Sequence, residues 1–480
     1  MIKSIEFKNF RNLNGKYELN DVLTIICGQN NTGKTNLLDG IRLAFASING
    51  DYFKVKKTDF FKSDDTQPIK ILVELSDVSI PSLVYKTLNG YKTGFSVTVH
   101  KTNLGRYVKD IRHYDDSPID FDILQADENV PNVFMIPLLR VEDVFALGLT
   151  TSVAKFLSED SKYYEIKEEI KGKLIDEIKG GVDSFKSFTR DFDDKIDIVP
   201  SDPKIIDDDK LYVTDGSFEH NKLIGSGYRS LANIFLNTVG ERFSILIIDE
   251  IENHLHPSML RKLLRKIKEV KNVQIVATTH SPVVINESSL EDVIDISGVK
   301  LSSLKPNNLK KINAFLHPGR AELVFAENIV LVEGYSEELL INNYLKKHQI
   351  NWTVVNVAGI MFEPYIELAH ILNKKVIVVS DNDRLLSEDE KTPSPRFLKL
   401  KSICESYGYS LIEVDNTLET DLYNNSFIND TVNLEQSGDS RTMIAKKNKK
   451  TEIAHILVEL DIDLSNWHVI KELNEKFKSN

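Results

Sequence analysis

The chain has 480 residues and a mass of 54.6 kDa, room for two to four domains at roughly 100–200 residues each. Hydrophobic residues make up 41% and charged residues 28%, too apolar for a disordered chain; the net charge of −12 excludes a globally basic, histone-like DNA binder but leaves room for a local basic groove. Two cysteines, Cys27 and Cys404, exclude a disulfide scaffold or a Cys-rich zinc domain, and no apolar run approaches the roughly 18–20 residues of a membrane span.

In chain order, Ile2, Ile5 and Phe7 alternate as in a strand and lack the h-region of a signal peptide, so a cytoplasmic enzyme is expected. Residues 22–27 form a short apolar run that reads as a buried strand. Gly28, Gly33, Lys34 and Thr35 then fall in a G-x4-G-K-T pattern, and Leu37, Leu38, Ile41, Ala44, Phe45 and Ile48 recur at helical spacing. Residues 69–75 and 94–100 read as strands. The stretch from about 150 turns helical and highly charged, and the acidic, proline-bearing segment 191–210 reads as an exposed connection. Gly225, Ser226 and Gly227 open a helix over 229–239, followed by strands at 243–248 and 273–278. After a junction at 323–328 the chain alternates strand 329–332, helix 337–347, strand 353–357, helix 365–372 and strands 376–379 and 411–414, the pattern of a parallel sheet. The expected division is a first domain over 1–320, carrying a charged helical insert at 150–215, and a second over 321–480.

A strand, a glycine loop and a helix in that order make an anion cradle. The glycines let backbone N–H groups close on phosphates, and the helix N-terminus adds partial positive charge. Lys34 is placed to reach the β- and γ-phosphates of ATP and Thr35 to hold Mg2+, with Gly28, Asn30, Asn31, Gly33 and Asn36 completing the nucleotide loop. Such a site needs an acid at the end of a neighbouring strand, and Asp249 and Glu250 follow strand 243–248. Asp249 is expected to hold Mg2+ through water and Glu250 to polarise the attacking water. An Asp-Glu pair after an apolar strand is otherwise a helix N-cap; the upstream loop decides for the catalytic reading. His254 and His256 make a His-x-His pair, but no cysteine or third histidine lies at metal spacing beside them.

Three further pieces, Gly225-Ser226-Gly227 before the acidic strand, residues 253–257 after it and His280 after the next strand, resemble the ABC-type ATPases, in the branch of RecF-like, SMC-like and OLD-family proteins. The resemblance implies that residues 225–227 are a signature loop completing the partner's ATP site, residues 253–257 a D-loop, and His280 a catalytic switch histidine sensing the γ-phosphate. ATP is then expected at the interface of a homodimer or higher homo-oligomer, with 150–215 as a dimerisation region. Ile251 replaces the proline common after the Asp-Glu pair, and the signature departs from the transporter type. Both departures imply slow hydrolysis, with ATP more a gate than a fuel.

The third block holds a second set of acids. Glu333 ends a strand, Gly334 is expected to allow the tight turn, and Glu337 falls on the first helical turn, within reach of a metal shared with Glu333. Asp381 and Asp383 form an Asp-x-Asp whose carboxylates can converge on one hard cation. This Glu-Gly, then Gly359 after the next strand, then Asp-x-Asp after the third, resembles the Toprim domain, which binds Mg2+ and makes or breaks phosphodiester bonds. A Rossmann-like Toprim domain behind an ABC-type ATPase is the layout of the OLD (overcoming lysogenization defect) family, and the resemblance covers nearly the whole chain. It implies an Mg2+- or Mn2+-dependent DNA endonuclease or nickase. Glu333 would be catalytic, and Glu333, Glu337, Asp381, Asp383 and Glu419 would be metal ligands. The family's catalytic lysine falls on Lys450 or Lys449, in a segment where residues 441–450 carry five basic side chains and no acid. Asp421 remains a helix N-terminal acid. The resemblance further implies antiphage defence in a bacterial cytoplasm, away from membranes, alone or with a helicase or a retron reverse transcriptase and its nucleic acid. The alternative is a RecF-like DNA-sensing clamp with a non-catalytic Toprim module; four acids in register argue against it.

Overall fold

The computed structural model describes residues 1–76, 80–88, 90–127, 130, 132–136, 197–200, 211–214, 244–270, 273–359, 361–383, 392–427 and 450–479. They form two compact units, Met1–Ser288 with Ile296–Gly298, and Ser289–Asp295 with Val299–Asn480. Gly225, Ser226 and Gly227, helix 229–239, Lys449 and the side chain of Lys450 lie outside the described residues, as does most of the stretch 150–215.

Two larger sheets and a two-stranded one are described in the first unit. Strands β1 (Ile2–Phe10), β2 (Leu13–Glu18), β4 (Ile69–Leu75), β5 (Val84–Thr87), β6 (Gly90–Lys101) and β7 (Tyr107–His113) pair antiparallel in the order β2–β1–β4–β6–β5, with β7 also on β6. Strands β3 (Leu23–Cys27), β8 (Asn132–Ile136), β11 (Ser244–Ile248) and β12 (Val273–Thr278) pair parallel in the order β3–β12–β11–β8. The runs 22–27 and 273–278 lack alternation because parallel strands are covered on both faces; every residue of β3 and β12 is buried. Gln274, fully buried in β12, stitches the two sheets together. Its Oε1 accepts from Ile2 N at 2.7 Å, and its Nε2 donates to the carbonyls of Ile2 and Asn20, each at 2.8 Å. Helix α1 (Lys34–Ile48) can lie close to β1 because Gly40 has no Cβ: one built there would meet the Phe7 ring at 2.2 Å. The segment 191–210 departs from the expected connection. Its residues Asp197–Pro200 form β9, antiparallel to β10 (Leu211–Thr214), where the β-branched Ile198 and Val199 favour extended backbone over a solvated turn.

In the second unit the strand β13 (Val293–Asp295) is followed by β14 (Asn328–Val332), β15 (Thr353–Asn356), β16 (Lys375–Asp381) and β17 (Ser410–Val414). The last four form an all-parallel sheet ordered β15–β14–β16–β17. Helices α2 (Pro257–Ile267) and α3 (Pro282–Glu287) belong to the first unit, and α4 (Pro306–Phe315), α5 (Tyr335–Lys347), α6 (Phe362–Ile371), α7 (Pro395–Tyr407), α8 (Leu418–Asn424), α9 (Lys450–Glu459) and α10 (His468–Ser479) to the second. Val330 and Val332 of β14 pack with Ile377, Val379, Leu340 and Ile341, and with Ile453, Leu457, Trp467 and Ile470 near the C-terminus. Each such side chain contributes roughly 1.5–3 kcal/mol on burial. The C-terminal helices are thus part of this sheet's core.

Asp421 on α8 is more than a helix N-terminal acid. It is 1% exposed, its Oδ2 accepts from the indole N–H of Trp467, and its Oδ1 accepts from Asp415 N at 3.4 Å. Burial pushes its carboxyl above the usual range. Trp467→Phe removes the indole donor and should lower the stability of the second unit by about 1–3 kcal/mol. Because the folded carboxyl is raised, the deficit should be largest at neutral pH, where the ionised group has lost its indole donor, and should shrink as the pH falls and the carboxyl takes up a proton. Urea unfolding followed by the remaining tryptophan, Trp352, measures it.

Candidate functional site

The parallel ladder of the first unit decides which residues meet. Thr278 of β12 pairs with Ile26 of β3, and Ala277 with Ile248 of β11, so the three strands end side by side. The nucleotide loop, His280 and Asp249 therefore emerge on one edge. Gly28 (φ +146°) and Gly33 (φ +109°) take conformations open to glycine, and Asn31 sits at φ +63°. Lys34 is buried and its Nζ donates to the carbonyls of Gly28 at 2.9 Å and Gln29 at 2.6 Å. Thr35 Oγ1 lies 3.1 Å from Asp249 Oδ2, close enough for one hard cation to take both oxygens in place of the hydrogen bond.

Asp249 also accepts from Thr278 Oγ1 at 2.7 Å, and the same hydroxyl accepts from Glu250 N at 2.8 Å. Glu250, at φ +53°, is held by Asn253 Nδ2 at 2.8 Å. The 253–257 segment thus steers the proposed base. His280 lies between the charges: its Nδ1 is 3.3 Å from Lys34 Nζ and its Nε2 3.8 Å from Glu250 Oε1. Burial, then the nearby Lys34 ammonium, pushes the His280 imidazole below its usual range, and burial does the same to Lys34. Glu252 fixes His280 from behind, accepting from its backbone N at 2.6 Å and from Thr279 Oγ1 at 2.8 Å, with its carboxyl pushed up by burial.

Asn30 and Asn31 are exposed on the loop. Asn36 instead accepts from Arg11 Nη1 at 2.8 Å and donates to Asn12 Oδ1 at 2.7 Å. Arg11 also reaches Asp39 at 2.6 Å and Asp59 at 2.9 Å, and Asn12 donates to Thr32 O at 2.7 Å. His256 caps α2, accepting from Ser258 N at 3.3 Å, which accounts for it without a metal.

In the second unit Val332, the last residue of β14, pairs with Val379, two residues before the end of β16. Glu333 therefore lies beside Ser380, whose Oγ donates to its Oε2 at 3.4 Å. Asp381 is 2% exposed, Asp383 more open at 39%, and Asn382 between them is fully buried. Asn382 is a strut: its Nδ2 donates to Glu413, its Oδ1 accepts from Asn416 N at 2.8 Å, and its own N–H donates to Val414 O at 3.1 Å. Glu337 is buried and bends back so that its Oε2 accepts from Gly334 N at 3.1 Å. Glu419, on the first turn of α8, is also buried. Gly334 serves the turn through space rather than through a left-handed backbone. Its backbone is extended (φ −145°), and the strand-to-helix turn is closed by the Glu337 cap, whose Oε2 a Cβ at 334 would meet at 3.2 Å. Positive φ occurs instead at Ala358 (+53°) and Gly359 (+81°), where Gly359 N donates to Glu333 O at 2.7 Å.

One residue here escaped the sequence reading. Arg396 forms an ion pair with Glu333 through Nη2, and its Nη1 lies 3.0 Å from Asp383 Oδ2. Its only advance signal was the Ser394-Pro395 helix start just before it. Among the described residues no three Asp, Glu, His or Cys side chains converge on one point suited to a metal. The all-oxygen donor set fits Mg2+ or Mn2+, but its carboxylates face Arg396 and Gly334 N.

Residues 1–126 match the family described as AAA ATPase domain, residues 162–286 the AAA domain of a putative AbiEii toxin (type IV toxin–antitoxin system), and residues 324–383 the TOPRIM domain of overcoming-lysogenization-defect-like proteins. The chain joins an ATPase region to an OLD-like TOPRIM domain. Its matches include Endonuclease GajA of Bacillus cereus (strain VD045), 24% identical over 79% of this chain and 74% of that protein. The OLD nuclease of Thermus scotoductus is 23% identical over 71% of this chain and 72% of its own length. Septu protein PtuA of Bacillus thuringiensis is 25% identical over 61% and 75%. The TOPRIM match ends at Asp383, so Glu333, Glu337, Asp381 and Asp383 all fall inside it. No helix among the described residues is long and apolar enough to cross a membrane.

The Lys34–His280 contact makes a sharp expectation. In an NMR titration His280 should titrate below its ordinary 6.5, and Lys34→Met should move it upward because the neighbouring cation is gone.

Proposed function

We propose that the chain is an ATP-binding, divalent-metal-dependent DNA endonuclease or nickase. A TOPRIM site would cut phosphodiester bonds under control of an ABC-type ATPase dimer, in antiphage defence. The observation that carries the reading is Glu333 beside Ser380 and Asp381 at the carboxyl edge of β14 and β16, within the TOPRIM-matched residues. Glu333, Asp381 and Asp383 would hold Mg2+ or Mn2+, with Glu337 and Glu419 as further oxygen donors. A cation held there supplies Lewis acidity to the phosphodiester. Ser380 orients Glu333, Asn382 fixes the turn that carries Asp381 and Asp383, and Lys450, at the start of α9, would oppose charge on the scissile phosphate.

At the other site Lys34 would exchange the carbonyls of Gly28 and Gln29 for ATP phosphates, and Thr35 and Asp249 would take Mg2+. Glu250 would orient water, His280 would read the γ-phosphate, and Gly225, Ser226 and Gly227 of a partner copy would close the site. The domain division at 320/321, a dimerisation role for 150–215 and a bacterial cytoplasmic setting belong to the same proposal. So does a defence partner, whether a helicase or a retron reverse transcriptase with its nucleic acid. The Arg396 ion pairs favour one second reading, a RecF-like DNA-sensing clamp whose TOPRIM module is not catalytic.

Plasmid cleavage separates the two. Wild-type protein with Mg2+ or Mn2+ should nick or linearise supercoiled DNA, and Glu333→Ala should reduce the rate by at least about 100-fold. No cleavage by wild type under any metal, with the defence partner present, favours the clamp. Adding ATP should change the wild-type rate and leave Lys34→Ala unmoved; identical rates in every lane contradict control by the ATPase.

A further inference from the structure

Arg396 stands in an unusual place. It is the second residue of α7, behind the N-cap Ser394, whose Oγ accepts from Phe397 N at 3.2 Å. Ser394 N in turn donates to Asn382 O at 2.9 Å, so the helix start is tied to the turn carrying Asp381 and Asp383. A cation on the first turn opposes the helix dipole, and α7 has no acid there to offset it. The compensation comes from elsewhere: one guanidinium nitrogen pairs with Glu333 and the other with Asp383, two acids far apart in sequence. Without that cation, Glu333 and Asp383 would bring like charges to one sheet edge with no guanidinium between them. A two-pronged guanidinium suits the task where a lysine would satisfy one acid at a time. The pairs are also partly open, with Arg396 35% exposed, so a small ion of higher charge can displace them.

We infer that Arg396 is an exchangeable counter-ion of the TOPRIM edge: it neutralises Glu333 and Asp383 until a divalent cation takes them, and then turns its guanidinium to the phosphodiester of the bound nucleic acid. The inference rests on the metal-dependent reading of this site. Arg396 would keep the acid cluster in shape when no metal is held, set the metal concentration at which the site loads, and contact phosphate only afterwards. The geometry of guanidinium and phosphate suits the last role as well as it suits two carboxylates.

The test uses the full-length, nucleotide-free chain. Mn2+ binding is titrated by electron paramagnetic resonance, and the sites that count are those lost in Glu333→Gln. Arg396→Met should bind Mn2+ there about tenfold more tightly than wild type. The same variant, at saturating Mn2+, should bind a short DNA duplex more weakly by fluorescence anisotropy. A merely structural residue would weaken both or neither. Arg396→Lys, which keeps the charge and the fold, should fall between the two in Mn2+ affinity. Unchanged or weaker Mn2+ binding in both Arg396 variants overturns the counter-ion role and leaves the metal reading standing. Tighter Mn2+ binding with unchanged DNA affinity overturns the phosphate role. A wild-type chain with no Glu333-dependent Mn2+ site, joined by Arg396→Met, overturns the metal reading itself and this inference with it.

Discussion

Both units depend on one constraint, a carboxylate set at the carboxyl end of a buried parallel strand. Such a group cannot be left without donors, and the way each unit supplies them shapes its site. In the first unit the donors are hydroxyls. Thr35 comes from the nucleotide loop and Thr278 from the neighbouring strand, and both point at Asp249. Thr278 passes the link on by accepting from Glu250 N. Three strands that share no sequence neighbourhood are thereby locked in register at the place where phosphate and Mg2+ would sit. The lock costs little to open, because each hydroxyl–carboxylate bond can be exchanged for a bond to a cation.

In the second unit the donors are a serine, a backbone N–H and a guanidinium. Ser380 and Arg396 serve Glu333, Gly334 N serves Glu337, and Arg396 serves Asp383. The acids are pre-positioned by buried polar struts rather than by each other. Asn382 ties the Asp381–Asp383 turn to β17, and Asp421 ties α8 to Trp467 in the C-terminal core. The C-terminal helices therefore reach the site through packing as well as through the proposed chemistry of Lys450.

Most of the fold was legible because parallel strands declare themselves as unbroken apolar runs: 273–278 and 329–332 read as strands and are strands. The nucleotide loop was legible because glycine, lysine and threonine at that spacing have a single economical use between a strand and a helix. The polar residues that hold the sites were not legible. Glu252, Thr278, Asn382 and Arg396 act on partners up to 63 positions away, and no local spacing encodes such a contact. At Gly334 the turn was legible but its means was not: the backbone stays extended, and the missing Cβ leaves room for the Glu337 side chain that closes the turn. The β9–β10 pair was hidden by composition, because the acids around it outweigh two short apolar runs.

The central claim is that the carboxylates at the ends of β14 and β16 hold the divalent cation that cuts DNA. Anomalous X-ray scattering from crystals grown with Mn2+ tests it most directly. The account predicts manganese peaks within ligand distance of Glu333, Asp381 and Asp383, with Arg396 turned away from Glu333. A crystal of cleavage-competent protein with manganese only beside Thr35 and Asp249, and Arg396 still paired with Glu333 and Asp383, would contradict it.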